Sequence, residues 1–349
     1  MHREQRIRAE LFHQLHAGPA PLMLPNAWDA ASARVIENAG AKAIATTSAG
    51  MAWALGYPDG EQLPVQELLA ACRRICQVVT APVSVDIERG YGRDAQDTGG
   101  LVGALIQLGV VGINIEDGTE PGMQTLAHPS VLCKRIACVR AIAQHHDLPF
   151  FINARIDTYL SNLPPEARLE ETRRRALAYV DAGADGIFVP GLANADEIAT
   201  LARVLPVPLN VYAGYPRAPE SHALQQLGVR RISLGCGPMQ ATLAHLGAIA
   251  AEALDDGRYE TMGKRMLTPA EANGLFRSVA HTAEQTRDVP YVGMGDGPVA
   301  QLVARQRRAP LREIELTTRN SNATERAPAW RRLVASMFGD RATAKAGSP

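Results

Sequence analysis

The stretch VDAGADGI, residues 180–187, carries the pattern that decides the fold: a helix, a glycine and then a strand. Glycine is favoured directly after a helix because it adopts the left-handed backbone that a β-carbon disfavours. The same phrase recurs, with its glycine and isoleucine at the same offsets, as ENAGAKAI (37–44), IQLGVVGI (106–113) and QQLGVRRI (225–232). A junction used four times predicts a repeated helix–strand unit.

This alternation extends along most of the chain, because short runs rich in valine and isoleucine alternate with longer segments of helical period. The strand candidates are 22–24, 42–46, 83–87, 111–115, 150–154, 185–189, 208–211 and 230–234. The helical segments between them include 28–39, 64–79, 94–108, 165–182 and 193–204. Eight such units in about 250 residues predict an α/β fold, the (β/α)8 or TIM barrel. A doubly wound open sheet is the alternative, but no GxGxxG motif follows the first strand.

Composition excludes several classes of protein. The 349 residues contain 36 Lys and Arg and 36 Asp and Glu, so the net charge is zero. A neutral chain disfavours nucleic acid or an anionic membrane as the partner, and no apolar run reaches the roughly 18 residues that span a bilayer. The five cysteines match neither a zinc pattern nor a disulfide framework. The charged N-terminus (1–18) has the pattern of an amphipathic helix rather than of a signal peptide, so we expect a reduced, cytoplasmic protein.

The strand–helix pattern stops near residue 255, which divides the chain into three predicted regions. Residues 1–255 are expected to form the catalytic barrel. Residues 256–317 are expected to add C-terminal helices, because MLTPAEANGLFRSVAHTAEQ (266–285) has a helical period. Residues 318–349 form a polar tail of small residues, which we expect to be partly disordered.

Acidic residues collect where predicted strands two, three and four end, which is the end of a barrel that carries the active site. In PVSVDIERGYG (82–92), Asp86 and Glu88 stand two residues apart and so face the same side of a strand. Asp59 and Glu116 add two more carboxylates. Such a group takes up protons unless a cation intervenes, and Mg²⁺ prefers oxygen ligands. We therefore predict that all four bind Mg²⁺, or Mn²⁺ in its place. Helix capping or arginine pairing is the alternative.

Two further features suit a 2-oxo acid as the substrate. Arg155 ends strand five, across the barrel from the acids, and a guanidinium binds a carboxylate through two hydrogen bonds. The alternative is a structural ion pair with Asp157 or Glu116. The segment TTSAG (46–50) ends a strand with small residues, whose backbone N–H groups can bind an oxyanion; a plain tight turn explains it equally well.

Seven motifs together resemble the isocitrate lyase / phosphoenolpyruvate mutase superfamily, over roughly residues 20 to 250. They are LPNAWDAASARVIENAGAKAIATTSAGMAWALGYPDGE (24–61), VDIERGYG (85–92), GINIEDG (112–118), NARIDTYL (153–160), AGADGIFVPG (182–191), PLNVYAG (208–214) and LGVRRISLG (227–235). The resemblance implies a (β/α)8 barrel with a helix swapped between the subunits of a homodimer or homotetramer. It also implies Mg²⁺, a small carboxylate substrate, and cleavage of a C–C or P–C bond beside an enolate.

The resemblance also implies roles for individual residues. The substrate contacts are a stacking aromatic ring, a loop that holds the carboxylate end, the substrate arginine and a deeper polar neighbour. In this chain they are Trp28, Ser48, Ala49, Gly50, Arg155 and Asn210. The metal shell, held mostly through water, is Asp59, Asp86, Glu88 and Glu116. Asp86-x-Glu88 departs from the common Asp-x-Asp, and the longer side chain implies a slightly different shell.

The loop after strand four, EDGTEPGMQTLAHPSVLCKRI (116–136), departs further from the superfamily. It contains neither the Lys-Lys/Arg-Cys-Gly-His motif of the lyases nor the Lys, Asn and Ser of the mutases. His128 is a candidate proton donor, since the ordinary histidine pKa suits neutral pH; a solvent-facing loop residue is the alternative. Cys133 is expected on a helix face rather than in catalysis.

These inferences predict a Mg²⁺-dependent lyase or decarboxylase that cleaves a C–C bond of a small 2-oxo or 2-hydroxy di- or tricarboxylate through a metal-stabilised enolate. The predicted catalytic residues are Arg155, Glu116 and His128. The branch is 2-methylisocitrate lyase-like or oxaloacetate decarboxylase-like, without the lyase cysteine motif. The alternatives are a phosphoenolpyruvate mutase-like or phosphonopyruvate hydrolase-like enzyme that acts on a P–C bond, and a non-catalytic binding barrel.

Overall fold

The computed structural model describes residues 3–118, 124–214 and 218–276, which form a ring of parallel strands surrounded by helices. Every strand pair is parallel. The strands are β1 (Leu22–Leu24), β2 (Asn26–Ala27), β3 (Ile44–Thr46), β4 (Val83–Asp86), β5 (Gly112–Glu116), β6 (Phe151–Arg155), β7 (Gly186–Val189), β8 (Leu209–Tyr212) and β9 (Arg231–Ser233).

The ring is nearly closed through its first two strands. β1 pairs with β9 and β2 pairs with β3, while Pro25 stands between them. Proline has no N–H to donate to a sheet, so one strand of an eight-stranded barrel is divided into two short pieces. The predicted (β/α)8 class is confirmed, and the open doubly wound sheet is excluded.

Helices follow the strands as the sequence pattern predicts. They are α1 (Arg3–Ala17), α2 (Ala30–Asn38), α3 (Ser48–Ala54), α4 (Val65–Val78), α5 (Ala95–Gln107), α6 (Pro129–His145), α7 (Pro165–Ala182), α8 (Ala195–Val204), α9 (Ser221–Gln226), α10 (Gly237–Ala251), a π-helical turn (Glu252–Asp256), α11 (Glu260–Gly263) and α12 (Pro269–Gly274). In the described ranges, none of these helices has the length and apolar character needed to cross a membrane.

The four glycine junctions have the predicted backbone conformation. Gly40, Gly109, Gly183 and Gly228 have φ angles of 100°, 98°, 115° and 92°. Each residue lies one or two positions after the end of a helix and before the next strand, so the chain reverses at a position that only glycine adopts without strain.

Helix α1 covers the N-terminal end of the barrel. Phe12 is fully buried and meets the ring of Phe151, the first residue of β6, edge to face at 5.3 Å. His16 stacks on the same ring at 4.1 Å. Gln5 Nε2 donates to the carbonyl oxygens of residues 106 and 110, which ties α1 to the outer layer. The floor of the barrel is therefore sealed, and the opposite end is open for a ligand.

Helix α10 has an apolar sequence, GPMQATLAHLGAIAA, but most of its side chains are exposed. Leu243 is 44% and Leu246 60% exposed. A swapped helix would have this character, but swapping itself stays a prediction. Of the predicted extension 256–317, the structure describes residues 256–276; the rest of it and the tail 318–349 lie outside the described residues, so the division into regions also stays a prediction.

Replacing Gly40 with alanine tests the junction directly. A β-carbon at Gly40 meets no atom within 4 Å, so only backbone strain is expected. We expect a loss of about 1–2 kcal/mol in the free energy of unfolding, measured with urea. Gly103, inside α5, is the matched control; its β-carbon would lie 3.9 Å from the Ile142 side chain, and Gly103→Ala should be neutral or stabilising by up to about 1 kcal/mol. Equal effects of the two changes would contradict the explanation.

Candidate active site

Asp86, the last residue of β4, is held by the segment that follows β3. Its backbone N–H donates to Thr46 Oγ1 at 2.9 Å. The hydroxyl and the backbone N–H of Ser48, the first residue of α3, both donate to Asp86 Oδ2, at 3.0 and 3.3 Å. Oδ1 of Asp86 is buried and has no hydrogen-bond partner among the described residues. The predicted TTSAG turn thus orients a carboxylate and leaves one of its oxygens available.

Glu88 lies in a tight turn beyond β4, with a φ of 49° and only 5% exposure. The backbone N–H of Glu61 donates to Oε2 of Glu88 at 2.8 Å, and the Tyr91 hydroxyl donates to Oε1 at 3.1 Å. Glu61 in turn accepts from Arg89 Nη2 at 3.0 Å and from the backbone N–H of Tyr91 at 2.8 Å. Both oxygens of Glu88 are therefore occupied by protein donors.

Arg155 forms ion pairs with both Asp157 and Glu116, the two residues named above as its possible structural partners. Its Nε and Nη2 donate to the two oxygens of Asp157 at 2.7 and 3.1 Å, and Nη1 lies 2.7 Å from Glu116 Oε2. The hydrogen bonds to Asp157 occupy two of the five guanidinium N–H groups, and the contact with Glu116 is an ion pair, so N–H groups remain for a ligand. The pairing fixes the guanidinium in one orientation, and the side chain still lines the open end of the barrel.

A buried acid beside this pair fixes the loops after β5 and β6. Asp117 is 1% exposed; Arg175 Nη1 and the Tyr179 hydroxyl donate to its Oδ2 at 2.9 and 2.7 Å. The backbone N–H of Asp157 donates to Oδ1 of Asp117 at 3.0 Å. Asp117 is thus a structural residue whose hydrogen bonds hold Asp157, and through it Arg155, in place.

These side chains surround two adjoining cavities of about 260 and 210 Å³ at the C-terminal end of the barrel. Residues shared by both are Ser48, Asp59, Arg155 and Leu160. The first cavity adds mainly polar side chains, including Glu88, Glu116, Arg89, Gln124 and Thr125. The second adds Asp86 and Asn114 together with Phe188, Pro190, Tyr212 and Cys236. One part of the site is therefore charged and the other is bordered by apolar and aromatic groups.

Asp59, Glu88 and Glu116 have raised pKa values. Burial, and after it the charge of Asp59, raises the pKa of Glu88 to about 7. Desolvation at the cavity wall, and after it the charge of Asp86, raises the pKa of Asp59. Burial raises the pKa of Glu116 although Arg155 opposes it. Burial lowers the pKa of Arg155, but Asp157 and Glu116 raise it by more. Without a cation, burial therefore favours the protonated, uncharged forms of Asp59, Glu88 and Glu116.

The four predicted metal residues line one open end of the barrel, but they do not meet at a single point. In the described part of the chain, no three His, Cys, Asp or Glu side chains are grouped to hold an ion directly. Glu88 and Asp86 accept hydrogen bonds from protein donors, and Glu116 is in ion-pair contact with Arg155. An all-oxygen set in which Asp86 Oδ1 has no hydrogen-bond partner among the described residues fits a cation that keeps its water shell, as Mg²⁺ does. The metal shell, expected from the sequence to be held mostly through water, stays a prediction.

The predicted substrate residues are only partly brought together. Ser48 and Ala49 line the cavities. Gly50 packs behind them, since a β-carbon there would lie 2.7 Å from Thr47 Cγ2 and 3.0 Å from Trp28 Cβ. Trp28 is half-buried against the core and lines neither cavity. Asn210 is buried and exchanges hydrogen bonds with Ser233 at 3.1 and 3.2 Å.

His128 is not at the site. It is exposed and precedes α6 as its N-cap, where Nδ1 accepts from the backbone N–H of Ser130 at 3.3 Å. The structure thus gives the ring a capping role and places it in neither cavity. Cys133 is on α6 as expected, with Sγ 3.7 Å from the Ala178 carbonyl oxygen, and burial raises its pKa to about 11. Residues 119–123 of this loop lie outside the described residues.

Sequence reasoning missed Leu160, Ser161 and Cys236, which all line the cavities. Each lies beyond the end of its strand, so strand periodicity places none of them. The one available signal for Cys236 was Gly235 before it, which has a φ of 53° and turns the chain toward the cavity.

Comparison with known proteins identifies the family. The family model for phosphoenolpyruvate phosphomutase matches residues 12–254, which include every strand of the barrel and the whole site. The chain belongs to this family.

Its relatives include enzymes that act on C–C bonds. An uncharacterised protein of Mycobacterium tuberculosis is 38% identical, over 80% of this chain and 96% of that protein. An oxaloacetate decarboxylase of Pseudomonas fluorescens is 29% identical, over 78% of this chain and 89% of the enzyme. Among solved structures, a putative lyase/mutase of Burkholderia cenocepacia is 32% identical with a TM-score of 0.72, covering 79% and 98% of the two chains.

The raised pKa of Glu88 predicts a pH dependence of stability. A carboxyl group whose pKa rises on folding, here from 4.5 to about 7, stabilises the protein while protonated. Its contribution, about 3 kcal/mol, is full below pH 4.5 and is lost as the pH rises toward 7. Glu88→Gln should therefore flatten the fall in metal-free unfolding free energy between pH 4.5 and 7. An unchanged slope, measured by urea unfolding at several pH values with EDTA, would contradict the assignment.

Proposed function

We propose that the protein is a Mg²⁺-dependent carbon–carbon lyase or decarboxylase that acts on a small 2-oxo or 2-hydroxy acid. The observation that carries the proposal is that acids and an arginine line the same two adjoining cavities. Asp59, Asp86, Glu88 and Glu116 supply the acids. Arg155, in ion-pair contact with Glu116 and Asp157, keeps N–H groups that its hydrogen bonds to Asp157 do not use. A cation suits the first group and a carboxylate suits the second.

The donor set supports a divalent ion held through water. Asp59, Asp86 and Glu116 would hold it, with Glu88 bracing the surrounding turn. An ion bound there would supply Lewis-acid polarisation of a carboxylate and its neighbouring oxo group. A solved phosphonopyruvate hydrolase of this fold, 23% identical with a TM-score of 0.67, is a complex with oxalate and Mg²⁺. That likeness shows the fold alone; the acids of this chain supply the argument for the ion.

The chain's own residues orient the substrate. Arg155 is immobilised by Asp157 and Glu116, so its remaining N–H groups point in a fixed direction and bind a carboxylate with little loss of rotational freedom. Ser48 holds Asp86 in the rotamer that leaves Oδ1 available. The second cavity, bordered by Phe188, Pro190 and Tyr212, receives the rest of the substrate and excludes water from it.

Decarboxylation fits the absence of the lyase cysteine motif. Carbon dioxide leaves without being protonated, so no acid is required at the leaving group. The enolate that remains takes up its proton from solvent water at the open end of the barrel. Cys133, which packs on α7 with a raised pKa, is not placed to serve as an acid. His128 is likewise outside both cavities, so we do not assign it the proton transfer.

Cleavage or migration of a P–C bond is the second candidate, because a putative phosphonomutase of B. cenocepacia is 36% identical with a TM-score of 0.68, over 71% of this chain. Transfer of a phosphoryl group requires cations around it. The cations lining the first cavity, among described residues, are Arg89 and Arg155, and both are paired with acids. This charge arrangement favours the C–C reaction. A non-catalytic binding barrel would bind acids without turning them over.

Product analysis tests the proposal and separates these candidates. The protein is incubated with Mg²⁺ and, separately, with oxaloacetate, 2-methylisocitrate or phosphonopyruvate, and products are identified by proton and phosphorus NMR. Pyruvate from either of the first two supports the C–C reaction. Turnover of phosphonopyruvate alone would replace it with P–C chemistry, and binding without any product would favour the non-catalytic barrel.

Asp86→Asn should lower Mg²⁺ affinity and turnover together, by about 10- to 100-fold, because the variant removes a negative charge that faces the ion. Isothermal titration measures the affinity, and the NMR assay measures the rate. Glu170→Gln is the control, since Glu170 is an exposed acid paired with Arg173 on α7. If Asp86→Asn binds Mg²⁺ as tightly as Glu170→Gln does, the metal assignment is wrong.

A further inference from the structure

Arg231 on β9 is the largest fully buried side chain in the described structure, and it has no acidic partner there. It is 0% exposed. Its Nε and Nη1 have no hydrogen-bond partner in the described part of the chain. Burying an unpaired cation costs several kcal/mol. The cost of burying this charge has to be offset by electrostatic interactions with groups that Arg231 does not contact.

Among the described residues, the one hydrogen bond of the Arg231 side chain connects it to the strand beside the predicted metal site. Nη2 donates to Asn114 Oδ1 at 3.1 Å, and Asn153 Nδ2 donates to the same oxygen at 2.9 Å. Asn114 is the register partner of Asp86 on β4 and of Asn153 on β6. The guanidinium therefore lies inside the barrel, one bridging side chain away from a predicted metal carboxylate.

The floor of the barrel shields this charge without neutralising it. The Arg231 guanidinium carbon lies 6.0 Å from the centre of the Phe12 ring. His16 beside it is neutral: burial, and after it the charge of Arg231, lowers its pKa to about 3. Its Nδ1 carries the proton, because it is 2.7 Å from the Phe12 carbonyl oxygen, which only accepts. Burial lowers the pKa of Arg231 to about 9, with Asp86 opposing, so the guanidinium is charged at neutral pH.

The arginines at the open end already have acidic partners. Arg155 pairs with Asp157 and Glu116, and Arg89 pairs with Glu61. Charge interactions are weakly screened inside a protein, so a cation below the acids acts on them over more than contact distance. The unpaired charge of Arg231 is thus available to the acid cluster above it.

We propose that Arg231 is a positioning residue that sets the electrostatic potential of the active site from below, weakening its hold on the divalent cation and strengthening its hold on the anionic substrate. The proposal rests on the proposed function. It assigns the buried charge a role in balancing two ligands of opposite sign, both of which must bind in the same site.

The two effects have opposite signs, which distinguishes this role from a structural one. Removing the positive charge makes the site more negative, so Mg²⁺ should bind more tightly and oxalate, a dianion, more weakly. A loss of packing in the barrel would instead weaken both ligands.

The test uses isothermal titration at pH 8, first with Mg²⁺ alone and then with oxalate at saturating Mg²⁺. The neutral variants Arg231→Gln and Arg231→Met should bind Mg²⁺ about three- to tenfold more tightly and oxalate about three- to tenfold more weakly. Glutamine retains a donor for Asn114, so it carries the test if the methionine variant does not fold. Arg231→Lys retains the charge and should keep both affinities within about twofold.

Arg140→Met is the matched control for removal of a buried arginine. Arg140 is 8% exposed on α6, where it bonds to the carbonyl oxygens of Gly183 and Phe150 and to Asp185. Its removal should lower the unfolding temperature and leave both affinities unchanged.

The outcomes separate the two claims. Suppose that the wild-type protein binds both ligands, but that the two affinities change in the same direction, or not at all, in the neutral Arg231 variants. This result would overturn the role of Arg231 and leave the proposed function standing. The role of Arg231 would also be overturned if the lysine variant had the same affinities as the neutral variants. If the wild-type protein binds neither Mg²⁺ nor oxalate, the proposed function and the role of Arg231 are both overturned.

Discussion

The crowding of carboxylates at the open end of the barrel is the constraint on which the rest of the site depends. Four acids from three successive strand ends enter a partly desolvated space, where burial raises the pKa values of Asp59, Glu88 and Glu116. Like charges in such a space repel unless cations or protons compensate them. The arrangement is thus costly in the metal-free protein, and the proposed divalent cation would relieve that cost.

Much of the surrounding structure serves to hold these acids in fixed positions. Ser48 binds one oxygen of Asp86, and Glu61 and Tyr91 bind both oxygens of Glu88. Asp117 on the next strand is buried with Arg175 and holds the backbone of Asp157. Arginine pairing and a metal site were alternatives in the sequence, but the structure shows that ion pairs at Arg155 orient the same site that would bind the ion.

The fold could be predicted closely from the sequence because its signals are local. The four glycine junctions each require a positive φ, and all eight strand candidates are found within one or two residues of their expected ends. The division of the first strand at Pro25 was not predicted. It depends on the pairing of β1 with β9 and of β2 with β3, which the sequence around Pro25 does not show.

The site was harder to predict because it depends on side-chain direction. The sequence placed Asp59, Asp86, Glu88, Glu116 and Arg155 at the open end of the barrel, where they line the cavities, since the strand ends of a barrel meet at one edge. The hydrogen bonds to both oxygens of Glu88 were not predicted. They form in a turn where Glu88 has a φ of 49°, and hydrophobic periodicity does not reveal such a backbone conformation. His128 was misplaced because a histidine before Ser130 caps a helix as readily as it serves in catalysis. Arg231 was overlooked because a strand of the form RRISL does not show which arginine faces the interior.

Thermal unfolding with oxalate, in the presence and absence of Mg²⁺, tests the central claim most directly. A ligand that binds only the folded state raises the unfolding temperature by mass action. If the acids and Arg155 form one site for a metal and a 2-oxo acid, oxalate should raise the unfolding temperature only when Mg²⁺ is present. No rise with both together, or an equal rise with oxalate alone, would contradict the account.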